Sequence, residues 1–325
     1  MKIVLAGGTG QVGTFLAEAF QREGHKVVVL SRNPTTMPWR TTGWDGKSPG
    51  AWCGELENAD AIINLAGRSV NCRYGMSNRR AILDSRILST RAIGHAVKAC
   101  SKPPQLWINS STATIYSHRY DGANDEEDGI LDTGEKCPGT WKFSVDVAKA
   151  WESAMNEVHL PETRKVQSRM AMVMGAGRGG VFDVFSGLAR KGLGGTLGNG
   201  RQYVSWIHEL DYYRSVDWII RHPTIEGPVN ICSPEPVPNR DFMAGVRDAV
   251  GVGFGMPARE WMLEIGAFFL RTETELLLKS RRVVPSKLLQ SGFEFRYPKW
   301  DVAAKEIHAR LRAGVGFDGK WAEQP

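Results

Sequence analysis

The heptapeptide G-G-T-G-Q-V-G at residues 7–13 constrains this chain more than any other feature. Ahead of it, residues 2–6 read K-I-V-L-A, a short β-branched apolar run that suits a strand buried on both faces. Behind it, Val12, Phe15, Leu16, Ala19 and Phe20 recur at helical spacing over residues 11–23, until Gly24 ends the pattern and residues 26–30 turn apolar again. Strand, turn, helix and strand make a βαβ unit, whose parallel strands are normally covered by helices on both faces. The spacing gives each glycine a task. Gly7 takes the tight turn, Gly10 leaves room for a pyrophosphate, and Gly13 lets the helix lie close to the strand. Thr9, Gln11 and Val12 complete the turn, and the helix N-terminus offers free N–H groups and a positive dipole end to phosphates. The pattern predicts a dinucleotide site.

Which dinucleotide follows from the end of the second strand. An NAD site places an acidic residue there to accept from the ribose 2′-OH. Here the strand runs V-V-V-L-S-R-N-P, with no acid between Glu23 and Asp45. Ser31 and Arg32 occupy the position, and a planar guanidinium pairs well with a 2′-phosphate. The expected cofactor is NADP(H) rather than NAD(H).

The 325 residues, 42% of them hydrophobic, suffice for one large α/β domain or two modest ones. Lys and Arg outnumber Asp and Glu by 41 − 35 = 6, but the basic residues are scattered, so no nucleic-acid partner is expected. Five cysteines at wide spacings form no C-x-x-C pair, which argues against a disulfide framework or zinc site and for a reducing, cytoplasmic compartment. With no apolar run near 18 residues, no membrane association is expected either. The acidic stretch at 121–129 reads as an exposed loop without metal-loop spacing, and no metal is expected.

A third buried strand, residues 59–66, closes with N-L-A-G at 64–67. With this segment the chain resembles the extended short-chain dehydrogenase/reductases of the NAD-dependent epimerase/dehydratase superfamily. More narrowly, it resembles the atypical epimerase family proteins of the YfcH type. The likeness runs through the glycine turn, the S-R after the second strand, G-W-D-G at 43–46, N-L-A-G-R-S-V and D-S-R-I at 84–87. It continues through R-M-A-M-V-M-G at 169–175, S-W-I-H at 205–208 and R-R-V-V-P-S-K-L-L-Q-S-G-F-E-F near the end. The resemblance implies an α/β Rossmann fold, a doubly wound parallel sheet with a smaller, discontinuous C-terminal substrate lobe. The nucleotide-binding domain would span 1–174, with 201–232 returning to it; 175–200 and 233–325 would form the lobe and the family's C-terminal extension. It also implies that Leu65, Ala66 and Gly67 line the adenosine side of the cofactor, with Trp44 and Asp45 at the adenine-ribose edge. Arg86 would reach the cofactor from the long helix that follows, and Met170 to Met172 would flank the nicotinamide, although methionines there could equally fill core.

The superfamily's chemistry uses a Ser or Thr, a Tyr, and a Lys four residues after that Tyr. The Tyr is the general acid/base, and the Lys lowers its pKa. The segment S-S-T-A-T-I-Y opens at Ser110, which is assigned to the cofactor, and offers two catalytic candidates: Thr112 at the hydroxyl position and Tyr116 at a substrate-pocket position. The Tyr/Lys pair falls instead on Ser144 and Ala148, within K-F-S-V-D-V-A-K-A-W-E. Lys149 is one position off, about 100° around a helix, and reads as a surface charge. His208, which precedes a helix carrying Glu209 and Asp211, is either a proton donor or a satisfied buried histidine. Asp211 reads as favourable charge in that helix's first turn. The glycine-dense stretch 175–200 surrounds an apolar helix over 181–188 and would either hinge over a ligand or merely make turns. Helices are also expected over 241–250 and around 260–270, and a strand over 230–233.

Two functional readings follow: an NADP(H)-dependent oxidoreductase or epimerase-like enzyme acting on a small substrate, or a non-catalytic NADP(H)-binding redox sensor or scaffold. A homodimer is compatible with either.

Overall fold

The computed structural model describes residues 1–135, 138–264 and 273–314. Seven strands form a parallel sheet: β1 (Lys2–Ala6), β2 (Lys26–Ser31), β3 (Arg40–Gly43), β4 (Ala61–Asn64), β5 (Leu106–Thr112), β6 (Arg164–Met170) and β10 (Gly227–Ile231), in the order β10-β6-β5-β4-β1-β2-β3. Three short strands stand outside it between β6 and β10: β7 (Met172–Met174), β8 (Tyr203–Val204) and β9 (Trp206–His208). The chain leaves β1 toward β2 and β3, then crosses back to lay β4 on β1's other side. That reversal opens a crevice beyond the carboxyl ends of β1 and β4, where ligands of doubly wound sheets bind.

β1, β2 and β4 are apolar because both faces are covered. Ile3 and Leu5 point into a core with α1 (Gln11–Arg22) and α5 (Glu209–Arg221), through Phe15, Leu16, Phe20, Tyr212, Val216 and Ile219. Val4 and Ala6, of opposite parity, face a second core built with α2 (Met76–Ala99) and α3 (Gly139–Asn156), through Ile93, Val97 and Met155. This period of two is that of an extended strand.

Beyond β6 a third core forms from α4 (Val181–Arg190), α6 (Asn239–Val250) and the helix Trp300–Ala313 around β9, which pairs with β7. Phe242 stacks on Trp300 at 4.2 Å, and Trp206 meets Trp300 edge-on at 5.0 Å. The chain then returns to the sheet: Leu288 and Phe293 pack in the first core beside α5. Of the helix expected around 260–270, residues 260–264 are helical and the remainder lies outside the described residues.

The acidic stretch 121–129 is not a freely exposed loop. Asn124 is buried, its N–H donates to the Arg282 carbonyl at 2.7 Å, and Glu126 accepts from the Asn230 N–H of β10 at 2.8 Å. These backbone partners draw the loop onto the sheet edge. Cys53, Cys72, Cys100 and Cys232 are free thiols, and no helix among the described residues is long and apolar enough to cross a membrane.

Candidate cofactor cleft and reaction site

A cleft of about 520 Å³ lies at the switch point. The glycine turn forms one side through Gly7, Gly10, Gln11, Val12 and Gly13, joined by Leu65 and Gly67 from the loop after β4. Arg86 of α2, Ser110 and Thr112 of β5, and Met170 of β6 also line it.

The glycine geometry explains the motif. Gly7 has φ +73°, and a Cβ there would lie 2.7 Å from the Ala66 Cα, so the turn and the β4 loop touch backbone to backbone. A Cβ on Gly13 would come within 2.5 Å of the Gly8 Cα, which is the close helix–turn approach the spacing predicts. A Cβ on Gly10 would meet nothing within 4 Å, so the cleft is open where a pyrophosphate would press against backbone. Gly10 is also the N-cap of α1, with no side-chain cap and no acidic residue in the first turn. The orphan N–H groups there suit an anion. Gly177 folds against the same turn: a Cβ on it would lie 2.3 Å from Gln11 Nε2, so this part of the glycine-dense stretch makes a close approach.

A buried polar network sets the loop after β4. Asn64 Nδ2 donates to Asn109 Oδ1 at 2.7 Å, Thr90 donates to the same oxygen at 3.2 Å, and Trp151 Nε1 donates to Thr90 at 3.1 Å. Asn64 Oδ1 then accepts from the Ala66 N–H at 3.0 Å, fixing residues 65–67 beside the glycines. Arg86 lies over Gly67, donates to the carbonyls of Arg68 and Ile82 at 3.1 and 3.0 Å, and sits 4.9 Å from the Trp151 ring centroid. Burial pushes its guanidinium down to about 10, partly opposed by Tyr74. A desolvated cation on the cleft wall favours an anionic ligand.

Seven of the predicted cofactor residues lie off the cleft lining. Ser31 is buried at the end of β2, where it closes a turn with Asn33, and Arg32 beside it is exposed. Trp44 is a core residue, 5.0 Å from Trp52, and Asp45 caps the next turn by accepting from the N–H groups of Ser48 and Lys47 at 2.8 and 2.9 Å. Thr9 is exposed on the glycine turn, Ala66 backs that turn, and Met172 packs on the core formed by α4, α6 and the helix Trp300–Ala313.

The three residues singled out for chemistry do not converge. Thr112 lines the cleft and accepts from the Thr114 N–H at 3.2 Å. Tyr116 is 2% exposed beneath it; its hydroxyl donates to Asn230 Oδ1 at 3.0 Å and accepts from Arg169 Nη1 at 2.8 Å. His208 is the N-cap of α5: Nδ1 accepts from the Leu210 N–H at 3.0 Å, and Nε2 meets Glu306 at 2.8 Å. Neither Tyr116 nor His208 is among the cleft-lining residues. Asp211, in the first turn of α5, also accepts from the N–H groups of Arg296 and Tyr297 at 2.8 Å each, so it pins the C-terminal segment as well as suiting the dipole.

Instead the cleft gathers Tyr74, Ser144, Glu275 and Arg281. Ser144 is hydrogen-bonded to Glu275 and stands beside the Tyr74 hydroxyl. Glu275 precedes Lys279 and Arg281 in a segment whose cations are tied to the sheet. Lys279 Nζ donates to the Thr114 carbonyl at 2.9 Å and to Asp132 at 3.0 Å, and Arg281 Nε donates to Thr114 Oγ1 at 3.0 Å. Burial raises the Glu275 carboxyl and the Tyr74 hydroxyl above their ordinary values. Sequence reasoning missed Glu275 and Arg281 because they lie about 130 residues from Ser144. Only the expectation, drawn from the resemblance, that Ser144 falls at the tyrosine position pointed to the spot.

Residues 3–232 match the NAD dependent epimerase/dehydratase family, and residues 260–307 match a domain of unknown function, DUF1731. The chain belongs to the NAD dependent epimerase/dehydratase family. Within it, the chain is 28% identical over 315 residues to the bovine epimerase family protein SDR39U1, covering 95% of this chain and all of that one. It is also 28% identical to the Bacillus subtilis epimerase family protein YfhF, over 95% and 98% of the two chains. Human SDR39U1 isoform 2, solved with NADPH, superposes with a TM-score of 0.83 at 27% identity, over 95% of this chain and 99% of that one. A Corynebacterium glutamicum nucleoside-diphosphate sugar epimerase superposes at 0.73 with 25% identity, over 96% of this chain and 61% of that one. These likenesses match the atypical extended short-chain dehydrogenase/reductase with a C-terminal extension that the motifs suggest.

Proposed function

We propose that this protein binds NADP(H) and acts as an oxidoreductase or epimerase-like enzyme on a small substrate. One observation carries the reading: a single cleft joins the glycine turn to Thr112, Ser144 and Glu275, so a dinucleotide held at one end would present its nicotinamide to polar groups at the other. Gly7, Gly10 and Gly13 with the N-terminus of α1 would take the pyrophosphate, and Leu65 to Gly67 the adenosine side. Met170, on the cleft wall, would flank the nicotinamide. Arg32, exposed past β2, is free to reach a 2′-phosphate. A nicotinamide bound there supplies or accepts a hydride. The human relative solved with NADPH supports the phosphorylated cofactor.

The test is a fluorescence titration with NADPH and NADH on wild type and Arg32→Ala. The expected result is at least tenfold preference for NADPH in wild type, about 1.4 kcal/mol, lost in the variant. Equal affinities in wild type would remove Arg32 from the argument. A screen of carbonyl and nucleotide-sugar substrates follows; tight NADPH binding with no turnover of any would favour the redox-sensor reading.

A further inference from the structure

Glu275 and Arg281, which follow the sheet's last strand in the chain by more than 40 residues, both line the cleft. Glu275 is 1% exposed yet lines the cleft. Its Oε2 is hydrogen-bonded to Ser144 Oγ, while Oε1 has no hydrogen-bond partner and lies 3.6 Å from Arg281 Nη2. Arg281 directs Nε to Thr114, and Nη1 to the Glu275 and Lys279 carbonyls. Buried Arg–carboxylate pairs are frequently bidentate, with two short N–H···O bonds, whereas here one longer contact joins the two groups. This carboxyl instead stays within charge range of a guanidinium while bonding to a half-buried serine hydroxyl on the cleft wall, an arrangement suited to changing its protonation state.

We propose that Ser144 and Glu275 are the proton-exchanging pair of this cleft, with Ser144 facing the carbonyl or secondary hydroxyl oxygen of the substrate and Glu275 storing the proton. The proposal rests on the nicotinamide reading above. In the reducing direction the substrate oxygen takes the Ser144 proton, and the Ser144 oxygen takes the proton of the Glu275 carboxyl. That leaves a carboxylate facing Arg281, which solvent reprotonates. The two electrons come with the hydride of a reduced nicotinamide, and oxidation runs the same transfers backward. The substrate class is therefore a carbonyl compound or its alcohol. Burial favours the stored proton, and so does Glu273; Arg281, Ser144 and Lys279 favour its release. Tyr74 is a further titratable group beside the carboxyl.

The test reads protons rather than turnover. An oxidised nicotinamide ring carries a positive charge that favours the carboxylate, whereas a reduced ring is neutral. Calorimetric titrations of the full chain with NADP⁺ and with NADPH, in buffers of differing ionisation enthalpy between about pH 5 and 8, give the protons released on binding. Wild type is expected to release more with NADP⁺ than with NADPH. Glu275→Gln should lose that difference. Ser144→Ala should keep it with the pH midpoint moved upward, because the hydrogen bond that favours the carboxylate is gone, and this variant carries the test if Glu275→Gln does not fold. Equal release in wild type, or a difference that survives in Glu275→Gln, overturns the proposal. Failure of either nucleotide to bind is a separate result that overturns the cofactor reading and this proposal with it.

Discussion

At the scale of single residues, the glycine turn shows that one motif contains glycines needed for different reasons. A methyl group on Gly13 must displace Gly8 backbone, whereas one on Gly10 meets only open cleft. Gly13→Ala is therefore expected to cost about 1–3 kcal/mol in urea unfolding. Gly10→Ala should stay within about 1 kcal/mol of wild type and yet weaken NADPH binding at least as much. Equal stability of the two variants would contradict this division. Glu275 makes a second prediction. Its folded pKa is raised above the ordinary 4.5, so the folded chain binds the more protons. The stabilisation is complete below that value and is lost as pH rises through the folded pKa. Glu275→Gln cannot titrate, so its unfolding free energy should gain on wild type as pH rises through that window. Parallel stability curves would count against the raised value.

At the scale of elements, α5 shows why a histidine conspicuous in sequence can have a structural task. His208 caps the helix with Nδ1, bonds Glu306 with Nε2, and lies against Tyr297 with ring centroids 4.1 Å apart. Glu306 also receives Arg310, which pairs with Glu209 at 2.7 Å, so the start of α5 and the final helix are joined through charge. His208→Ala is expected to cost about 2 kcal/mol or more in thermal or urea unfolding while NADPH affinity stays within about twofold. A stable variant with abolished binding or turnover would return His208 to the site. The sequence pattern S-W-I-H-E-L-D carried the N-terminal signal for this helix. It could not show that Glu306, 98 residues away, would meet the second ring nitrogen.

At the scale of the molecule, the cleft depends on both halves of the chain. The glycine turn comes from the first helix connection, and Glu275 and Arg281 come from the segment that follows α6. Lys279, buried against Asp132 and the Thr114 carbonyl, and Phe293, in the first core, anchor that segment. Unfolding followed by calorimetry is accordingly expected to give one transition. NADPH at about 100 times Kd should raise it by about 2.7 kcal/mol, as a unit. Two transitions, of which only one responds to NADPH, would show that the lobes fold separately.

The sequence by itself determined the βαβ start, the apolar parallel strands, the dinucleotide turn and the side of the sheet where a ligand must bind. These follow from local rules: period-two burial, glycine at positive φ, and helix caps. Tertiary structure alone decided that Tyr116 and His208 turn inward to satisfied partners, that Trp44 joins the core, and that Glu275 and Arg281 stand beside Ser144. The physical reason is that a buried polar group takes whatever partner the closed fold brings within about 3 Å. Here those partners lie 53 to 131 residues apart, as in Tyr116–Arg169 and Ser144–Glu275, a distance no local pattern spans.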